Sequence, residues 1–222
     1  MIPMLSVVFS TRNGADTLPT MLPAVAALQE PQGGWKMIAV DNGSEDDTLA
    51  ILESWADRIP LIIIKEKTPG KNLALNRALA EIDGDIIIFT DDDIIPDSDW
   101  LIRYRELADD WPNASIFGGR IDPAWETTPK PALVAHLPLG PLYVVTDPKQ
   151  PEGPIDPGMV WGPNMAVRRT LFESGVQFDE SIGPTASARY TMGSETEFTH
   201  RMARLGHTCI FSQRPRVRHI VP

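Results

Sequence analysis

Short apolar runs recur through the first half of the chain, and most of them end in a cluster of polar residues. Residues 5–10, 35–40, 61–64 and 85–89 are such runs, dominated by Val, Ile, Leu and Met. Near-continuous apolarity at strand length predicts strands buried on both faces, the pattern of a parallel sheet. Helical patterns alternate with them. The first spans 16–28, with Asp16 as cap and Pro19 in its first turn; Pro23 is expected to delay or bend it. The second spans 44–55, where Ser44 and Asp47 resemble a capping box. The third spans 73–82, with Leu75, Ala78, Leu79 and Ile82 on one face. This β-α-β-α-β-α-β order predicts a parallel sheet with right-handed crossovers.

The second half is less regular. A helix over 96–109 turns Trp100, Leu101, Tyr104 and Leu107 inward, and a strand covers 114–119. Prolines punctuate 123–163, but Trp125, Leu137, Leu139, Leu142, Tyr143 and Trp161 make it too apolar for a disordered linker. It reads as loop and short extended structure wrapped over a core. Residues 161–167 return to a strand pattern, and a short helix over 168–175 ends at Gly175. A Gly/Ser/Thr/Pro-rich loop over 178–191 is a candidate lid. A helix over 193–205 follows, with Ser194 as N-cap and Glu195 and Glu197 in its first turn. Short strands over 209–211 and 217–220 close the chain.

The polar clusters carry the chemistry. Thr11 to Asn13, Asp41 to Ser44 and Asp91 to Asp93 each follow an apolar run, so all three fall at strand carboxyl ends. In open α/β sheets that edge binds ligands. Three adjacent aspartates repel one another, and an Asp-x-Asp spacing offers two oxygens to a hard cation such as Mg2+ or Mn2+. The same triplet also reads as a solvated acidic strand end. No Gly-x-Gly-x-x-Gly follows the first strand, and Gly70-Lys71 lacks the rest of a P-loop.

Composition narrows the function classes. The 222 residues suit one α/β domain over 1–222. A net charge of -10 argues against nucleic acid as a partner. Cys209 is the single cysteine, which excludes a disulfide framework or a zinc cluster and points to a reducing, cytoplasmic setting. No apolar run approaches a membrane span, and the first eight residues are too short and too lightly charged for a signal peptide. The sequons at Asn42 and Asn113 are read as chance matches.

Taken in order, these motifs resemble the family 2 glycosyltransferases of the GT-A fold. The resemblance rests on the segment from Ser6 to Asn13, Val40 to Ser44, Gly70-Lys71, Leu75 to Leu79, and Phe89 to Asp93 followed by Pro96 and Trp100. It continues through Gly162 to Arg169, Phe178-Asp179, Gly193 to Phe198 with Arg201, and Val217 to His219.

The resemblance implies a Rossmann-like, mostly parallel sheet flanked by helices, with a smaller acceptor-side subregion. Residues 1–120 would form the nucleotide-sugar half and 121–222 the acceptor half. It implies transfer of a sugar from a nucleotide-sugar donor, UDP-sugar favoured, to an acceptor hydroxyl with Mg2+ or Mn2+. By match, Thr11, Arg12, Asn13, Asp41, Lys71, Asp91 and Asp92 would serve the nucleotide side, and Asp93 and His219 the metal. Asn164 and Trp161 would line the sugar or acceptor site. The acceptor would be a saccharide or lipid-linked saccharide at the inner membrane face, in bacterial polysaccharide or glycolipid synthesis. Members commonly continue past the segment corresponding to His219, so a truncated or compact form is expected.

Glu195 is the candidate general base, because an acceptor hydroxyl must lose a proton as it attacks. The usual motif is Gly-Glu-Asp with Asp as base; in this chain Gly193-Ser194-Glu195 puts glutamate at that position, with Glu197 as fallback. The departure motivates a rival expectation, a domain that binds nucleotide sugar or glycan without turnover. A nucleotidyltransferase would need a Gly-rich phosphate loop after the first strand, and a phosphatase would need its Asp-x-Asp there; neither is present.

Overall fold

The computed structural model describes residues 4–130, 134, 137–184 and 192–221. Strands β1 (Leu5–Thr11), β2 (Trp35–Asp41), β3 (Leu61–Lys65) and β4 (Ile86–Phe89) lie parallel in the order β3-β2-β1-β4. Helices α1 (Leu18–Ala26), α2 (Thr48–Trp55) and α3 (Lys71–Ala78) connect them. A short strand β5 (Ile94–Pro96) precedes α4 (Trp100–Asp110) and β6 (Ile116–Trp125). Next come α5 (Leu139–Tyr143), β7 (Gly153–Pro154), β8 (Met165–Arg168) and α6 (Thr170–Glu173). The chain closes with α7 (Ser194–Arg204) and β9 (Cys209–Val221). Among the described residues the sheet has nine strands, ordered β3-β2-β1-β4-β8-β6-β9-β5, with β7 added beside β9.

Alternation of side chains gives this sheet two cores. Leu5, Val7 and Phe9 face Leu18, Met21 and Leu22 of α1 and Trp100, Leu101 and Tyr104 of α4. Val8, Ile38, Ile87 and Phe89 face Ala74, Leu75 and Ala78 of α3 and Phe198 and Met202 of α7. Each such side chain taken fully from water contributes roughly 1.5–3 kcal/mol. Burial on both faces is why these strands show no polar alternation.

Several boundaries differ from expectation. Asp16 does not cap α1; the cap position is Thr17, without a side-chain bond, and the helix runs through Pro23. Pro23 lies in the second turn, so it forfeits a single bond, to the Pro19 carbonyl. Ser44 and Asp47 form no capping box: Asp47 caps without a side-chain bond, and the Ser44 hydroxyl accepts from Asn13. The third helix closes as a 3-10 turn over Leu79–Glu81. Residues 94–96 are a strand, not the start of α4. Residues Gly162–Asn164 are a 3-10 turn before β8. Gly193, with φ 97°, occupies the cap position of α7, and Ser194 is its first residue. The last two predicted strands are one, β9, whose pairing with β6 shifts register between Gly119 and Arg120. Of the lid candidate, residues 185–191 lie outside the described residues.

Two pairings build the functional edge. β8 runs antiparallel to β4, with Met165 opposite Phe89, so the turn before β8 joins the carboxyl end of β4. β5 runs antiparallel to β9 with Ile94 opposite His219, which carries His219 to the aspartate triplet. An aromatic cluster orients α7 over the same edge: Phe198 stacks on Phe178 at 4.6 Å and on Phe172 at 5.7 Å, and Phe178 meets Phe89 edge-on at 5.1 Å. Among the described residues no helix is long and apolar enough to cross a membrane.

Candidate active site

The ends of β1, β2 and β4 shape a cavity of about 330 Å3 lined by Thr11, Arg12, Asn42, Lys71, Asp91 and Asp92. The Thr11 hydroxyl donates to Asp92. Gly14 is required at close quarters: a Cβ there would lie 2.6 Å from Asp92 Oδ2. Burial pushes the Asp92 carboxyl up, the Thr11 hydroxyl opposes this, and the charges of Asp93 and Asp91 add to it; the result is a pKa of about 6.

Asn13 and Asp41 do not line this cavity; they hold its rim. Asn13 is exposed, with a left-handed φ of 58°; its N–H donates to Ser44 Oγ at 3.0 Å and its Oδ1 accepts from the Glu45 N–H at 2.8 Å. Buried Asp41 accepts from the Ser44 N–H at 3.1 Å. Asn42, which the motifs do not single out, accepts from the Gly70 N–H at 2.8 Å and donates to the Thr68 carbonyl at 2.7 Å. It thereby sets the loop that delivers Lys71.

A second cavity, about 290 Å3, lies beside the first and is lined by Trp161, Gly162, Glu195 and His219. Lys71 and Asp91 line both cavities and so form their common wall. Lys71 Nζ donates to Asp91 Oδ1 at 2.6 Å and stands 2.9 Å from Glu195 Oε1. The three side chains retain 21 %, 24 % and 17 % exposure. Burial raises the Asp91 pKa; Lys71 opposes this, and the charges of Glu195 and Asp93 reinforce it, so the net shift is upward. For Glu195 burial also acts upward, but Lys71 outweighs it and holds the carboxyl below its ordinary value. For Lys71 burial works against the ammonium, yet the two carboxylates hold its pKa above the usual lysine range.

Asp93 and His219 meet at the far end of the triplet, His219 Nε2 lying 3.1 Å from Asp93 Oδ2. His219 Nδ1 is 2.8 Å from the Tyr143 carbonyl, which only accepts, so Nδ1 carries the proton. Nε2 then faces a carboxylate either as a protonated donor or as a lone pair needing a cation. Burial disfavours the imidazolium, but Asp93 outweighs it and raises the His219 pKa. Asp93 Oδ1 is buried and finds no hydrogen-bond partner among the described residues, a costly state for a carboxylate oxygen. Among the described residues carboxylates also outnumber cations at this edge: Asp91, Asp92, Asp93 and Glu195 face Arg12, Lys71 and His219. An orphan carboxylate oxygen, an oriented imidazole and surplus negative charge fit a divalent ion. Among the described residues no three His, Cys, Asp or Glu side chains gather as a ligand set, so these two would share the ion with other oxygens.

The sequence model of glycosyl transferase family 2 matches residues 6–175. The chain belongs to this family. Its match takes in the whole first cavity apart from Pro184, and it stops before Glu195 and His219. Glycosyltransferase AglE of Haloferax volcanii is 30% identical over 105 residues, which cover 46% of this chain and 34% of AglE. The chain therefore spans about a third of that relative's length. Among solved structures, S. aureus TarS superposes with TM-score 0.71 at 17% identity, covering 98% of this chain and 60% of the other. Mannosyltransferase PcManGT from Pyrobaculum calidifontis, in complex with GDP-Man and Mn2+, superposes with TM-score 0.72 at 21% identity, covering 100% and 58%. These likenesses establish the GT-A fold of this family 2 chain.

Two predicted residues of this family 2 chain lie elsewhere. Asn164 lines neither cavity. It is fully buried; Oδ1 accepts from Trp100 Nε1 at 2.8 Å and from the Tyr104 hydroxyl at 2.7 Å, and Nδ2 donates to the Arg120 carbonyl at 2.8 Å. Its polar atoms are consumed in joining α4, β6 and β8. Glu197 points away from both cavities and pairs with Arg201 one turn on, at 2.7 Å. Four residues along a helix share a face, and Glu195 lies two from Glu197, on a different one. Asn76 of α3 clamps the backbone of Phe178, accepting from its N–H at 2.9 Å and donating to its carbonyl at 3.0 Å.

Proposed function

We propose that this chain is the catalytic part of a nucleotide-sugar-dependent glycosyltransferase, UDP-sugar favoured, acting by inverting single displacement. One observation carries the reading: Lys71 and Asp91 form the wall between a cavity that also holds Asp92 and a second cavity that also holds Glu195, and the Lys71 ammonium meets both Asp91 and Glu195. Displacement needs that arrangement, with the leaving group on one side and the proton acceptor on the other.

The donor occupies the cavity of Thr11, Arg12, Asp91 and Asp92, framed by Asp41 and Asn13. Asp93 and His219 would hold Mg2+ or Mn2+, which when bound offsets the charge of the departing diphosphate. PcManGT, solved with GDP-Man and Mn2+, supports this choice of ion by analogy. Glu195 accepts the acceptor hydroxyl proton as that oxygen bonds to the anomeric carbon, and the nucleoside diphosphate leaves with the electrons of the broken bond. Trp161 offers a flat apolar surface for an acceptor ring on the Glu195 side. Residues 1–120 then serve mainly the donor and 121–222 the acceptor, a saccharide or lipid-linked saccharide at the cytoplasmic membrane face.

The test is turnover of UDP-glucose and other nucleotide sugars with Mn2+, with and without saccharide acceptors, beside calorimetric titration of UDP. Metal-dependent release of UDP is expected, and Asp93→Ala should remove the Mn2+ requirement together with UDP binding. Tight donor binding without turnover would instead favour a binding domain.

A further inference from the structure

Glu195 is held from two sides, by Gly162 and by Lys71. On one side stands Gly162. A Cβ on Gly162 would lie 2.5 Å from both Cδ and Oε1 of Glu195, and 2.8 Å from its Cγ. Contacts that short cannot stand. Gly162 is not among the glycines with positive φ, so no backbone requirement explains it; the missing side chain is needed for space. The wall is also fixed. Thr90 donates to the Pro163 carbonyl at 2.7 Å, and Asn164 is locked into its buried network. On the other side Lys71 Nζ, 2.9 Å from Oε1, ties the carboxylate to Asp91. The side chain therefore cannot swing away from an intruding methyl without giving up its ion pair.

We propose that Gly162 and Lys71 form a seat that positions the Glu195 carboxylate for proton transfer. Gly162 leaves room for a side chain of glutamate length, and Lys71 fixes the carboxylate to the wall shared with the donor cavity. Both are positioning residues, since they act through Glu195. The inference rests on the reading of Glu195 as the base. It adds that the base is matched to the residue at position 162, and that the cation facing the donor also sets the base.

The test compares Gly162→Ala, Glu195→Asp and their combination, with Lys71→Met and Lys71→Arg, in the full 222-residue chain. The measurements are transfer kinetics, UDP/Mn2+ calorimetry, thermal melting and the pH dependence of kcat. Gly162→Ala should lower kcat about 10²-fold with UDP affinity and melting temperature little changed. Glu195→Asp draws the carboxylate back by one methylene, so adding Gly162→Ala to it should cost less than about threefold. Equal costs of Gly162→Ala in the two backgrounds would overturn the seat.

The charged groups lining the Glu195 cavity are Lys71 from α3, Asp91 from the end of β4 and His219 from β9. Without the ammonium, burial acts on Glu195 against only a backbone N–H, so in Lys71→Met the acid limb of kcat should move to higher pH by about one unit or more. Lys71→Arg should keep the limb in place. A Lys71→Met variant whose kcat falls without movement of the limb would overturn the role of Lys71. A wild-type chain that turns over no nucleotide sugar would overturn the base reading and this inference together; active variants with purely additive losses would overturn the inference alone.

Discussion

The two cavities of the cleft are built in different ways. The one proposed for the donor is made from strand ends of β1, β2 and β4, each followed by its own loop, and adjacent parallel strands place those ends together. The one proposed for the acceptor is assembled from distant pieces: the turn before β8, the first turn of α7, the Tyr143 carbonyl and a residue near the end of β9. The first kind of site follows from a repeated local unit. The second depends on pairings such as β5 with β9 and β4 with β8, which local pattern does not specify. The wall between the two, Lys71 with Asp91 and Glu195, draws on both.

Substitutions can separate the halves. The largest expected effect is Glu195→Gln, which should cut transfer by roughly 10²-fold and leave UDP affinity within about twofold. Equal loss of UDP affinity in calorimetry would mean that the two cavities are one site. Next is Asn164→Ala, expected to lower stability by about 3 kcal/mol in denaturant unfolding, because Trp100 and Tyr104 lose a buried acceptor. A loss of transfer with unchanged stability would return Asn164 to the sugar site.

Asp122→Asn should have a smaller, pH-dependent effect. Asp122 pairs with Arg120 at 2.8 Å and with Arg216, across β6 and β9. Burial raises its pKa, but the two arginines outweigh it and leave it below the ordinary value. A depressed carboxyl stabilises the fold above its unfolded-state pKa, and that contribution disappears as pH falls through the folded value. The variant should lose about 1 kcal/mol at neutral pH, discounted because Arg216 is partly exposed, and match the wild type in strong acid. A difference that persists in acid would place the effect in packing. The smallest change is expected for Glu197→Gln, less than about twofold in transfer, since its i,i+4 pair with Arg201 is a partly exposed helix contact. A loss comparable to that of Glu195→Gln would reverse the assignment of the two glutamates.

Legibility in the sequence divides along the same line. The four parallel strands, their helices and the acidic edge follow from apolar runs at strand length and helical spacing between them. The meeting of Asp93 and His219, proposed above to hold the metal, is readable only through family resemblance, since the two are 126 positions apart. A lysine at a helix start has many uses, so Lys71 reads in sequence as a nucleotide contact; its two carboxylate partners come from the end of β4 and from α7. Asn164 is misplaced by the sequence because a polar residue beside a cleft and one buried under it look alike there; hydrogen-bond partners from α4 and β6 decide which it is. Gly162 is visible in the sequence only as part of a family motif; that a side chain there would meet Glu195 of α7 depends on the packing of separate elements.

Alone, the sequence determined the family, the parallel half of the sheet and the edge where its acids collect. Periodicity and strand length act over a few residues and survive any detail of packing. The common wall of Lys71, Asp91 and Glu195, the inward turn of Asn164 and the space above Gly162 came only from the folded chain. Each depends on side chains from separate elements meeting within about 3 Å, a distance set by packing and not by pattern.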